Sequence, residues 1–279
     1  MASDKYSAVW VSHSSIGDFL KCPRAYYLHN VYKDPKTKKK INIVNPALSL
    51  GQAVHTTLEN LKNFPVTERF SRDLFADFEQ AWSAVSGKKG GFTSVEEEEE
   101  VKKRGRAMIE RVIAHPGILA EKTVRLKESA YGMPPNIYLS KEHNIILCGL
   151  VDWLVYDEKT DGIYILDFKT GKHDESDDSL QLPIYLILLS ELQKRPIVGA
   201  YYWYIDRDDT PTEKMLPILE DARACVLAQA IEIKIAREKK EFFCPRGEEG
   251  CFTCRPFEKI LRGEAEFVGG NDRQDNYIV

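Results

Sequence analysis

The chain has 279 residues, 43% of them hydrophobic and 29% charged, with a net charge of −4; that is enough to bury one substantial core, or a core with a helical appendage. No stretch approaches ~18 consecutive apolar residues, which excludes a membrane span. The opening MASDKYSAVWVSHSS lacks the basic and apolar regions of a signal peptide, so a cytoplasmic protein is expected. The acidic balance is not the bulk footprint of a nucleic-acid binder, and action on DNA would need cations grouped locally. Six cysteines without a signal point to metal binding or free thiols rather than disulfides.

In chain order, Ser12 or Ser14 can cap a first helix running through Ile16, Phe19, Leu20 and Tyr26. A loop follows with the densest group of cations, Lys33, Lys36, Lys38, Lys39 and Lys40, either a nucleic-acid contact or a solvated loop. A helix near 46–62 carries the stripe Leu50, Val54, Leu58 and Leu61, with His55 and Glu59 one turn apart on another face. Helical patterns at 71–86 and 95–114, separated by the turn at 87–91, make a helical insertion at about 60–120. The acidic run Glu96 to Glu100 suits the start of an exposed helix. Then the pattern changes: Thr123–Met133, Ile145–Asp157 and Ile163–Phe168 read as strands. A helix over 179–193, a buried strand Val198–Ile205 and a long helix over 219–240 follow. The tail at 242–279 holds three cysteines, with too little periodicity from Phe242 to Ile260 for a core of its own. The predicted class is α/β, a central mixed sheet flanked by helices, in one domain spanning 1–279.

The strands at 149–169 converge on one chemistry. Alternation puts Leu150, Asp152, Leu154 and Tyr156 on one face of the first strand and Ile163, Ile165, Asp167 and Lys169 on one face of the second. A four-residue loop at 158–161 sets Asp152 directly opposite Asp167. Facing like charges destabilise a sheet by roughly 0.2–1 kcal/mol when exposed, and this pair is flanked by Leu154, Val155, Ile165 and Leu166. A divalent cation between the carboxylates removes the conflict.

With His55 in Gly51-Gln-Ala-Val-His55, the Gly149-Leu-Val-Asp152 segment, Asp167-Phe-Lys169 and Gln181-x-x-x-Tyr185 in this order, the chain resembles the RecB-like branch of the PD-(D/E)xK nuclease superfamily over nearly its whole length. Ser12-x-Ser14 leading to Phe19-x-x-Cys22-Pro-x-x-Tyr26 is similar to that branch's N-terminal motif. The resemblance implies a restriction-endonuclease-like core. It implies a cation, Mg²⁺ or Mn²⁺, held by His55, Asp152, Asp167 and the backbone carbonyl of Phe168. Asp152, Asp167 and Lys169 become the catalytic residues, with Gln181 and Tyr185 positioning DNA. A cation on the two aspartates offsets phosphoryl charge, and Lys169 can stabilise that charge or orient water. An imidazole beside oxygen ligands makes Mn²⁺ a good alternative to Mg²⁺, and Glu59 is a candidate partner behind His55.

The implied function is a metal-dependent DNA nuclease, an exonuclease in recombination, repair or foreign-DNA processing. A non-catalytic DNA-binding subunit of a helicase–nuclease assembly and a structure-specific endonuclease are the alternatives. The sequence has no P-loop, so unwinding would come from a helicase or other recombination subunit. Some members of this branch hold a [4Fe–4S] cluster on one N-terminal and three C-terminal cysteines. Cys22 and Cys251-Phe-Thr-Cys254 match that pattern, but Ile260 stands where a further cysteine belongs, leaving Cys244 as the fourth candidate. Four thiolates suit iron–sulfur or zinc; free thiols at a degraded site are the alternative. Cys148 and Cys225 read as small buried hydrophobes.

Overall fold

The computed structural model describes residues 5–126 and 133–279. Strand β1 (Val9–Val11) leads into helix α1 (His13–Lys21), which Ser12 closes with a capping box: its Oγ accepts from Ser15 N, and Ser15 Oγ accepts from Ser12 N. The helix expected to continue to Tyr26 stops at Lys21. Pro23 disfavours helical backbone at the residue before it, and Cys22 is extended at φ −165°, ψ 111°. A short α2 (Pro23–Tyr26) then runs into a single π-turn, Tyr27–Val31.

The lysine-rich loop ends in a strand the sequence pattern did not reveal, β2 (Lys40–Ile43). Helix α3 (Pro46–Asn60) starts with Pro46 in its first turn and Asn45 Oδ1 accepting from Leu48 N. Helices α4 (Leu74–Ser83) and α5 (Val95–Ala114) supply the helical stretch expected at 60–120. The acidic run does open α5, behind a Ser94 cap, but Glu98 turns inward to accept from Trp82 Nε1, Ser86 Oγ and Gly87 N. Gly91 ends the turn before α5 at φ 86°, where a Cβ would stand 2.5 Å from Asn45 Cα.

The remaining elements are β3 (Asn136–Ser140), β4 (Ile145–Cys148), β5 (Trp153–Asp157), β6 (Gly162–Lys169), α6 (Gln181–Leu192), β7 (Ile197–Tyr204), β8 (Thr212–Lys214), α7 (Leu219–Lys239), α8 (Arg255–Leu261), β9 (Glu266–Gly270) and β10 (Gln274–Ile278). They form three sheets, ordered β5-β6-β7-β8, β1-β4-β3 and β2-β10-β9. Each mixes parallel and antiparallel pairs, and helices flank them, as the predicted fold class requires. The expected strand Ile145–Asp157 is divided, because β4 pairs with β1 and β3 while β5 pairs with β6. Of the strand expected at Thr123–Met133, only an isolated bridge, Thr123 to Val155, forms; residues 127–132 lie outside the described residues. The pairing partner of β4 comes later, at Asn136–Ser140.

The four-stranded sheet is apolar on both faces, and alternation sorts its side chains into two cores. Leu154, Ile163, Ile165, Ala200 and Tyr202 pack with Ile184 and Leu188 of α6 and Val226 of α7. Trp153, Val155, Leu166, Phe168 and Trp203 pack with Val54 of α3, Phe78 of α4 and Met108 of α5. Both helical layers therefore press on β6, the strand that carries Asp167 and Lys169. No helix among the described residues is long and apolar enough to cross a membrane.

Candidate active site and cysteine cluster

The β5–β6 register runs from Trp153↔Leu166 to Asp157↔Gly162, leaving 158–161 as the loop. Asp152 sits one residue before β5, and its Oδ2 accepts a 2.9 Å hydrogen bond from Phe168 N. This backbone clamp, unforeseen in the sequence, fixes the carboxylate beside the end of β6. Both aspartates are buried, at 8% exposure for Asp152 and 1% for Asp167.

From α3, His55 places Nδ1 3.2 Å from Asp152 Oδ2 and 3.8 Å from Glu59 Oε1. Its ring meets Phe168 edge-on at 5.9 Å. Burial resists a charged imidazole, but the bonds to Asp152 and Glu59 outweigh it and raise the His55 pKa to about 10. Glu59 is held in turn by Lys62, 3.0 Å away. The helix comes this close because position 51 is glycine: a Cβ there would lie 3.2 Å from Thr170 Oγ1.

Asp167 is hydrogen-bonded on one oxygen and ion-paired on the other. Its Oδ1 accepts from Gln181 Nε2 at 2.9 Å and Tyr185 Oη at 3.1 Å, both from the first turns of α6. Its Oδ2 is buried without a hydrogen-bond partner among the described residues, although Lys169 Nζ stands 2.9 Å away outside bonding geometry. Burial and the neighbouring Asp152 push the Asp167 pKa up to about 6, against the pull of Lys169. The Lys169 ammonium also meets Glu175 Oε2 at 2.9 Å and donates to Gln181 Oε1, over the face of Tyr202. Burial disfavours its charge, but Asp167 and Glu175 hold its pKa above the ordinary value.

Glu175 is a site residue that sequence reasoning missed. It lies in the irregular loop between β6 and α6, where periodicity carries no signal; its N–H donates to Tyr204 Oη. Arg104 of α5 braces the start of that loop, donating to Thr170 O at 2.9 Å while paired with Asp206. A cleft of about 550 Å³ opens beside Asp152, with Lys62, Arg125, Pro134 and Leu150 on its walls.

These groups fit a divalent cation. Ligand atoms of His55, Glu59 and Asp152 lie within 4.8 Å of one another; Asp167 is not one of that group, and its Oδ2 meets Lys169. One imidazole among carboxylate oxygens is a donor set for Mg²⁺ or Mn²⁺. A family model of the PD-(D/E)XK nuclease superfamily matches residues 10–257, and the chain belongs to that superfamily. Membership implies a metal-dependent nuclease that uses divalent metals. Comparison with curated proteins finds no match.

The four cysteines singled out in the sequence meet at the other end of α1. The sulfurs of Cys22, Cys244, Cys251 and Cys254 lie within 4.8 Å of one another and form no disulfide. Backbone N–H groups point at them: Cys251 N donates to Cys254 Sγ and Arg246 N to Cys244 Sγ. Burial pushes the Cys22 thiol up to about 12. Burial also opposes the Cys251 thiolate, but the N–H groups of Cys254 and Thr253 overcome it and lower that thiol to about 6. The set is compatible with a structural metal or an iron–sulfur centre. Ile260, where the family pattern wants a cysteine, packs instead with Leu28, Ile41 and Phe257. The expectation of burial fails for Cys225, which is exposed: α7 buries Ala222, Val226, Ala230 and Ile233, and position 225 is turned off that stripe. Cys148, at the end of β4, is half-buried.

Proposed function

We propose that this protein is a DNA-cleaving member of the RecB-like branch, a cytoplasmic exonuclease serving recombination, repair or foreign-DNA processing. The observation that carries the reading is the convergence of His55, Glu59 and Asp152, whose ligand atoms lie within 4.8 Å of one another, together with the buried Asp167 carboxylate on which the Asp152 charge acts. His55, Asp152, Asp167 and the Phe168 carbonyl would hold Mg²⁺ or Mn²⁺, which offsets charge at phosphorus and activates water when bound. Gln181 and Tyr185 fix Asp167 through Oδ1 and would position the DNA through that carboxylate. Lys169, held charged by Asp167 and Glu175, supplies a positive group 2.9 Å from Asp167. The chain has no P-loop, so a helicase or recombination subunit would deliver unwound strands.

End-labelled single- and double-stranded DNA should be degraded in Mg²⁺ or Mn²⁺ and left intact in EDTA, with mononucleotides or short oligonucleotides as the earliest products. Internal cuts as the first products would make the enzyme an endonuclease. Absence of metal-dependent cleavage, with DNA still bound, would leave only a DNA-binding subunit.

Cys22, Cys244, Cys251 and Cys254 are assigned to one metal centre that joins α1 to the tail. Anaerobically purified protein should be brown, with iron and sulfide at about four per chain each, as a [4Fe–4S] centre requires. One zinc per chain would keep the centre and remove its redox chemistry. Neither metal, together with rapid alkylation of all four thiols in the folded protein, rules the centre out.

A further inference from the structure

The lysines at 33–40 are not a slack loop. Asp34 Oδ1 accepts from Lys36 N at 2.7 Å and Thr37 N at 3.0 Å. The backbone closes the turn twice, Lys38 N to Asp34 O and Asp34 N to Lys39 O, with Lys38 at φ 60°. Strand β2 then locks the turn to β10, beginning with Lys40 beside Gln274 and Lys40 N donating to Arg273 O. Lys33, Lys36 and Lys38 thus stand exposed on a fixed support.

Their charges exceed the nearby negative charge: Asp34, in the turn itself, feels Lys36 and Lys38 but forms no ion pair with them. Lys39 pairs with Asp275 at 3.3 Å. Among the described residues, no carboxylate lies within salt-bridge distance of Lys33, Lys36, Lys38, Lys40, Arg237 or Arg273, whereas Arg24, Arg104, Arg111 and Lys169 are all paired. Half-buried Lys40 is pressed by burial and then by Lys33 and Arg237. In a chain of net charge −4, an unneutralised array of one sign repels itself, and a polyanion relieves that repulsion.

We propose that the turn at 33–40, with Arg237 and Arg273, is a phosphate-contacting surface that grips the nucleic-acid backbone away from the point of cleavage. The proposal rests on the nuclease reading for its ligand. Helix α1 gives the geometry: His13 at its start touches Ser179 in the loop leading to Gln181, and its end at Lys21 leads through Cys22 and the π-turn to Lys33. At ~1.5 Å per residue, the nine residues of α1 span more than 10 Å between the His13 end, beside Ser179, and the Lys21 end, from which the chain continues to the turn.

The test is binding of fluorescein-labelled DNA of about 30 nucleotides, followed by anisotropy in Ca²⁺ across a salt series. The variant combines Lys36→Gln with Lys38→Asn, since asparagine tolerates left-handed backbone. Loss of two phosphate contacts should weaken binding about tenfold near 0.1 M salt and reduce the slope of log K against log salt by about 1–2. A control with Lys103→Gln and Lys194→Gln, both exposed and away from the turn, should bind as wild type. Unchanged affinity and slope in the turn variant, an equal loss in the control, or no DNA binding by wild type overturns the surface. Cleavage in Mn²⁺ is scored separately: wild type that cleaves while the turn variant binds normally sinks the surface alone, and a turn-dependent salt slope without cleavage sinks the nuclease reading alone.

Discussion

Asp167→Asn is expected to slow cleavage roughly 10³-fold while making the metal-free protein more stable at neutral pH. Asparagine keeps the acceptor used by Gln181 and Tyr185 but offers no charge to a cation. The stability effect follows from linkage. Burial and Asp152 raise the Asp167 pKa from 3.8 to about 6, so the folded chain binds this proton more tightly than the unfolded one. Below about pH 4 both states are protonated and nothing is lost. As pH rises from about 4 to about 6, wild type in EDTA loses stability, and above that window the loss is complete. Melting curves in EDTA should therefore place the variant a few degrees above wild type at pH 7 and level with it near pH 3.5. Adding Mn²⁺ should reverse the order at pH 7, because only wild type gains from binding. Equal melting points with and without Mn²⁺ would remove Asp167 from the metal site.

Lys169→Ala is expected to lower the single-turnover rate by about 10²-fold or more with little change in DNA affinity in Ca²⁺. The ammonium lies against Asp167 and Glu175 and under Gln181, where it can act on reacting atoms but has little surface to offer a backbone phosphate. Glu175→Gln should produce a smaller rate loss of the same kind, since Lys169 keeps its contact with Asp167. A large affinity loss at unchanged rate would move Lys169 to phosphate binding.

The parts of this site that were legible in the sequence are those that periodicity controls. Alternation on β5 and β6, together with the loop at 158–161, gives the register that sets Asp152 across from Asp167. The i, i+4 spacing gives both His55 with Glu59 and Gln181 with Tyr185. Contacts set by irregular backbone were not legible. Glu175 reaches Lys169 from a loop without a repeat, and Phe168 N finds Asp152 only because β5 starts one residue late. The same limit hid six strands: β1, β2, β3, β8, β9 and β10. β2 reads as a run of lysines, and β10, which pairs with its neighbour β9, also pairs with β2 more than two hundred positions away. Pairing at that separation leaves no local pattern. Cys22 is legible as a ligand candidate, and the break in the first helix at Cys22 follows from Pro23, which disfavours helical backbone at the residue before it.

The cysteine cluster brings residue 22 against residue 244, so a metal bound there would close a loop of more than two hundred residues. A cross-link across so long a loop acts mainly on the denatured chain, removing conformations that the open chain would otherwise explore. Stripping a metal from it enlarges the denatured ensemble while leaving Asp152, Asp167 and Lys169 in place in every molecule that is still folded. The loss should then register as fewer active molecules, each turning over at its former rate, with the deficit growing on warming.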